Sequence, residues 1–183
     1  MKGFFIFSIL TVLFSAPPID PWIDHSMAAQ MVIEIPVLIL LGWLSGSKVA
    51  PSLTIPWSAG TLVLCVGLVS FWMIPRSLDL AVSQPMVDLL MHFCLWVAGF
   101  GFAASLPRLG VITQTAIGIY GVAMWATFAL VLSQTAAQIC AWFSLEQQKF
   151  AGESMLWFAG LFLVFHLVNS IRLLVRPADP LVE

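Results

Sequence analysis

Charge is what this chain has least of. Seven Lys and Arg and nine Asp and Glu stand among 183 residues, 9% of the total against 61% hydrophobic. Soluble domains carry roughly a quarter charged residues, so a water-soluble domain is excluded and an integral membrane protein is expected. Basic runs are lacking, and with a formal net charge of −2 the chain offers no electrostatic footprint for nucleic acid. Cysteine is also scarce. Cys65, Cys94 and Cys140 are odd in number and show no CxxC spacing, which excludes a disulfide framework. Cys65 and Cys94 fall in apolar runs, where a free thiol behaves as a small hydrophobe. There is no P-loop, no strand-borne GxGxxG, no HExxH and no GxSxG. The length leaves room for one membrane domain, residues 1–183.

What is present is a series of apolar segments. They predict an all-α bundle of six transmembrane helices over 3–16, 25–44, 57–74, 86–105, 110–132 and 153–174, the first one short. The flanks of the first segment resemble a signal peptide. Without it, however, five spans would leave the bundle with an unpaired edge, so it is read as a first helix. Residues 16–24 (APPIDPWID) read as a loop with an interfacial tryptophan, Trp22, and 45–56 as a polar loop. Residues 77–85 read as a short loop carrying Asp79. In 133–152, Trp142, Phe143 and Phe150 alternate with Gln138, Glu146, Gln147, Gln148 and Lys149, a pattern that predicts a helix lying flat on the bilayer.

The second span carries unusual residues for its setting. Met27, Met31, Glu34 and Leu38 follow a helical rhythm, which places two thioethers and a carboxylate on one face. A bare carboxylate facing lipid is costly, so this face is expected to look into the bundle. Pro36 is expected to kink the helix. In the fourth span Asp88 and His92 are four residues apart on one face. In the sixth, His166 and Asn169 share a face. Glu34, Asp88, His166 and Asn169 are therefore the expected buried polar residues.

Basic residues set the orientation. In a six-helix arrangement Lys2, Lys48, Arg108, Arg172 and Arg176 fall on one side, with Arg76 and Lys149 on the other. Both termini are then cytoplasmic, in a bacterial or archaeal inner membrane. Asp20, Asp24, Asp79, Glu146 and Glu153 make the outer face acidic, which suits a cation or a basic partner such as a c-type cytochrome.

This orientation brings His25, Met27, Met31, Met73 and His92 toward the outer side, with Glu34 and His92 roughly 10–14 Å below the interface at 1.5 Å per residue. Imidazole with thioether is a soft donor set that selects copper, Cu(I) above all. Asp88 would orient His92 if their side chains meet. A competing reading is that the methionines fill gaps in a packed bundle and Glu34 is a hydrogen-bonded structural acid. A third is that His92 and His166 are axial ligands of a b-type haem, set against a His166 bonded to a backbone carbonyl or to Asn169.

Four segments in order resemble the CtaG family of cytochrome c oxidase assembly membrane proteins. Residues 15–42 (SAPPIDPWIDHSMAAQMVIEIPVLILLG) resemble its serine-proline turn, His-Met-rich helix start and proline-leucine stretch ending in glycine. FWMIPRSLDLAV resembles its Trp-His-x-Pro segment, MVDLLMHFCLWVAGFGF its histidine-bearing helix, and LEQQKFAGESMLWFAGLFLVF the start of its last helix. His92 fits the family histidine. Met73 stands where the family has a histidine before Ile-Pro, Gln30 occupies the place of one paired histidine, and His25 is near the other. The resemblance implies a diverged accessory or assembly protein of a respiratory haem-copper oxidase, one that could handle copper at its outer face. The alternatives are a fixed structural subunit of a respiratory or copper-enzyme complex and a small b-type cytochrome.

Overall fold

The computed structural model describes residues 2–15, 23–49 and 58–175. Residues 16–22, with Asp20 and Trp22, residues 50–57 and those from Arg176 on, over which the sequence predicts loops and a polar end, lie outside the described residues. Seven helices follow in order among the described residues: α1 (Lys2–Phe14), α2 (Met27–Val49), α3 (Ser58–Trp72), α4 (Pro75–Ser83), α5 (Pro85–Ser105), α6 (Val111–Gln134) and α7 (Leu145–Val175). No strand occurs among them. Helices α2, α5, α6 and α7 are long and apolar enough to cross a membrane, and α3 with α4 makes a fifth candidate span broken by a 72° bend. The 13-residue α1 is about 20 Å long, short of a hydrocarbon core of about 30 Å.

Two expected loops are partly helical instead: residues 45–49 of the loop expected at 45–56 belong to α2, and residues 77–83 of the loop expected at 77–85 belong to α4. Residues 75–83 form α4, bounded by two prolines. Each proline forces the residue before it out of the helical region: Ile74 has φ −70° and ψ 129°, and Gln84 has φ −137° and ψ 108°. Each then opens the next helix from its first turn, where its missing N–H costs nothing. Ser77, Leu78 and Ala81 form the buried stripe of α4. The expected flat helix in 133–152 is also corrected. Residues 135–144 are irregular, and 145–152 are the first turns of α7. Ser144 and Gln147 supply the reason. Gln147 N donates to Ser144 Oγ at 3.2 Å while Ser144 N donates to Gln147 Oε1 at 3.2 Å. This reciprocal capping box starts the helix eight residues earlier than the apolar run does.

Small residues set the helix packing. An added Cβ on Gly42 would strike the Trp96 carbonyl, one on Gly99 the Ile39 carbonyl, and one on Gly46 would lie 2.8 Å from the Phe100 carbonyl. Helices α2 and α5 therefore pack backbone to backbone, as small-residue pairs permit in membranes. Helix α1 lies along α2 and places Phe4 against Trp96 and Phe100 of α5, with ring centroids 6.2 and 6.5 Å apart. Helices α6 and α7 make a second tight pair, with Gly152 seated against the Ala129 carbonyl and Ser133. The two pairs join where the start of α7 packs on the start of α2.

Candidate functional site

The α2–α5 crossing fixes the site, because its first turns carry the polar residues of both helices. Ser26 opens α2, its Oγ accepting from Ala29 N at 3.4 Å. The helix then widens to a π-helical segment over Gln30–Glu34, where the Ile35 N–H reaches the Gln30 carbonyl. Pro36 accounts for this turn. Its ring would collide with the carbonyl four residues earlier in a regular helix, and a wider turn relieves the conflict.

Glu34 is fully buried, and its Oε1 lies 2.7 Å from His92 Nε2. The other ring nitrogen, Nδ1, lies 3.0 Å from the Asp88 backbone carbonyl and 3.3 Å from Asp88 Oδ2. Two acceptors face Nδ1, so that nitrogen carries a proton and donates. The Nε2 contact then holds one further proton, shared with Glu34. Asp88 thereby fixes the ring orientation and leaves Nε2 directed at the Glu34 carboxylate. Ligand atoms of Glu34, Asp88 and His92 all lie within 4.8 Å of one another, and all three residues are buried. Glu34 Oε2 and Asp88 Oδ1 are buried and have no hydrogen-bond partner among the described residues.

Five buried methionines belong to the core of the bundle. Met27 and Met31 of α2, Met73 at the α3–α4 bend, Met91 of α5 and Met155 of α7 are all fully buried in one cluster. Gln30, one helical turn above Glu34, is also fully buried, and its Nε2 donates to Asp24 Oδ1 at 3.3 Å. Above the site, residues 135–144 are pinned to α4. Asp79 accepts from Ala141 N at 2.9 Å and Trp142 N at 3.4 Å, and Gln148 accepts from Ile139 N at 2.9 Å. Gln147 Nε2 donates to the His25 carbonyl at 3.1 Å, tying α7 to the start of α2. Within this segment burial, with the Asp79 charge beside it, pushes the Cys140 thiol up to about 12.

The residues expected from the sequence are thus only partly brought together. Glu34, Asp88 and His92 converge, and Met27, Met31 and Met73 are buried in the same core. His25 is exposed and stands outside the three-residue group. Asn169 is exposed, which corrects its reading as a buried polar residue. His166 is half-buried rather than buried. Its Nε2 donates to the Thr115 carbonyl at 3.2 Å, and the ring fills the space that Gly118 leaves on α6. His92 therefore serves the α2–α5 junction and His166 the α6–α7 junction. Gln30, named from the sequence only as standing in the place of a family histidine and not among the buried polar residues, is fully buried. Its spacing of four from Glu34 was the available signal.

No protein-family model, curated protein or solved structure matches this chain.

Proposed function

We propose that this chain is a non-enzymatic accessory or assembly protein of a respiratory haem-copper oxidase, and that Glu34, His92 and Asp88 take up a transition-metal ion, copper above others. The oxidase reading rests on the four segments resembling the CtaG family. The metal reading rests on one observation: Glu34 Oε2 and Asp88 Oδ1 are buried beside the His92 ring without a hydrogen-bond partner. Buried polar atoms are nearly always paired, and a cation held at the Glu34 carboxylate would satisfy its second oxygen. The residues present fit copper. Imidazole and carboxylate suit Cu(II), and the buried thioethers of Met27, Met31 and Met73 suit Cu(I). Glu34 and His92 Nε2 would hold the ion in place of the proton they share, which is released to solvent, with Asp88 keeping the ring oriented. Bound copper would be cargo or a redox centre for the partner oxidase.

The same reading gives six spans, α1 included, with both termini cytoplasmic and the site in the outer half of the membrane. A c-type cytochrome would meet the acidic outer face.

Purified full-length protein incubated with copper and desalted is expected to retain about one ion, and Glu34→Gln and His92→Asn to lose it. Copurification with oxidase subunits checks the partner. Wild-type protein that retains no copper would defeat the metal reading. A fixed structural subunit then takes its place, favoured by the fact that both ring nitrogens of His92 already meet protein acceptors.

A further inference from the structure

Between the outer surface and Glu34 lies a second polar step that packing does not explain. Gln30 is fully buried, followed by the fully buried Met31 and about one turn after the fully buried Met27. Its amide has a defined orientation. Nε2 donates to Asp24 Oδ1 at 3.3 Å, so the carbonyl oxygen must point the other way. That oxygen, Oε1, is buried without a hydrogen-bond partner among the described residues. Below it comes Glu34, four residues on and roughly 6 Å deeper at the ordinary helical rise, with its own unpartnered Oε2. Above it Asp24 is half-buried, ahead of the first turn of α2. The π-helical segment begins at Gln30 and ends at Glu34.

A half-buried carboxylate, a buried amide oxygen and a buried carboxylate thus follow one another down the start of α2, and each presents an oxygen acceptor. A donor side chain would have satisfied Gln30 Oε1 at little cost, whereas its immediate neighbours on α2 include two thioethers, which have no proton to give. Only a species that accepts electron pairs complements every step. An anion finds no complement in three oxygen acceptors, whereas a cation does, and the imidazole with carboxylates of the inner site makes that cation a metal ion.

We propose that Asp24 and Gln30 form an outer station through which a metal cation passes between the outer surface and the Glu34–Asp88–His92 site. Asp24 collects the ion and aims the amide, and Gln30 Oε1 is the ligand in transit. This rests on the metal reading of the inner site. Gln30 is a positioning residue for transfer, not a ligand of the bound state, so it sets how fast the inner site fills and empties and leaves the final affinity alone.

The test uses full-length protein in detergent and Cu(II) chloride as the probe. Loading is followed by stopped flow, release by excess chelator and Kd by titration. Gln30→Leu is expected to slow loading and release by the same factor, on the order of tenfold, which corresponds to about 1.4 kcal/mol at the barrier. Its Kd should stay within about twofold of wild type, a change of less than about 0.5 kcal/mol. Asp24→Asn should slow loading in the same direction. Gln30→Met, which matches the neighbouring side chains in size and flexibility, should behave as Gln30→Leu and serves if the leucine variant does not fold. Wild-type rates in the variants overturn the station and leave the inner metal site standing. A weakened Kd with unchanged loading makes Gln30 an inner ligand and also overturns it. A wild-type protein that binds no copper overturns the metal reading and the station together.

Discussion

Glu34 and His92 are 58 positions apart in the chain, yet Glu34 Oε1 and His92 Nε2 lie 2.7 Å apart in the interior of the bundle. The contact depends on the α2–α5 crossing a few turns further along, where Gly42 and Gly99 let the backbones meet. Site and packing are therefore one construction: the glycines bring the helices together, and the closeness brings carboxylate and imidazole together.

Replacing Glu34 by leucine leaves the His92 ring nitrogen buried beside a hydrocarbon. An unsatisfied buried partner costs about 1–3 kcal/mol. Glu34→Leu is expected to insert in the membrane but to unfold at lower temperature than wild type in detergent, whereas Glu34→Gln, which keeps an oxygen and an N–H at the same place, should lose less. Equal melting temperatures for Glu34→Leu and wild type would show that the contact contributes nothing.

Gly42→Ala places a methyl group on the Trp96 carbonyl, and neither backbone can yield without separating the helices. Overpacking of this kind costs about 1–3 kcal/mol. The control is Gly67→Ala in α3, where nothing lies within 4 Å of an added Cβ. A thermal shift in detergent for Gly42→Ala, with Gly67→Ala close to wild type, is the expected pattern. A Gly42→Ala protein as stable as wild type would mean that the crossing is not close.

Cys140 is buried, and burial first, then the Asp79 charge, moves its thiol from an ordinary value of 9.0 up to about 12. At pH 8 it should resist maleimide, because the thiolate is the nucleophile. Asp79→Ala removes the acceptor of Ala141 N and Trp142 N, so labelling of Cys140 should rise. The folded protein holds the thiol proton more tightly than the unfolded chain does. The stability tied to this group is thus complete below pH 9 and declines as pH climbs from 9 toward about 12. Replacing Cys140 by alanine should remove that alkaline decline, and a decline of unchanged size in the alanine variant would assign it to other groups.

The proposed six-span arrangement with cytoplasmic termini would place the end of α2 inside and the end of α4 outside. Ser47 and Ser83 are both exposed, so single cysteines there, with Cys65, Cys94 and Cys140 replaced by alanine, report the two sides. An impermeant maleimide added to intact cells should label Ser83→Cys and spare Ser47→Cys. The reverse result would invert the topology.

Much of the helical framework was legible in the chain itself. Apolar length marks the spans, because a bilayer rewards continuous hydrocarbon whatever the neighbours are. The spacing of Met27, Met31 and Glu34 placed them on one face, and a carboxylate among apolar residues could only turn inward. The four-residue spacing of Asp88 and His92 likewise gave their contact. Helix ends were less legible. Ser144 and Gln147 start α7 through a reciprocal bond between two polar residues, and Pro75 ends one helix by beginning another. A count of apolar residues registers neither event. Only the tertiary structure decided which side chains meet across helices. It joined Glu34 to His92, seated His166 on the Gly118 side of α6, left His25 and Asn169 at the surface and buried Gln30. Those outcomes depend on the rotation and separation of packed helices, which Gly42, Gly46 and Gly99 set through backbone contacts that no single helix contains.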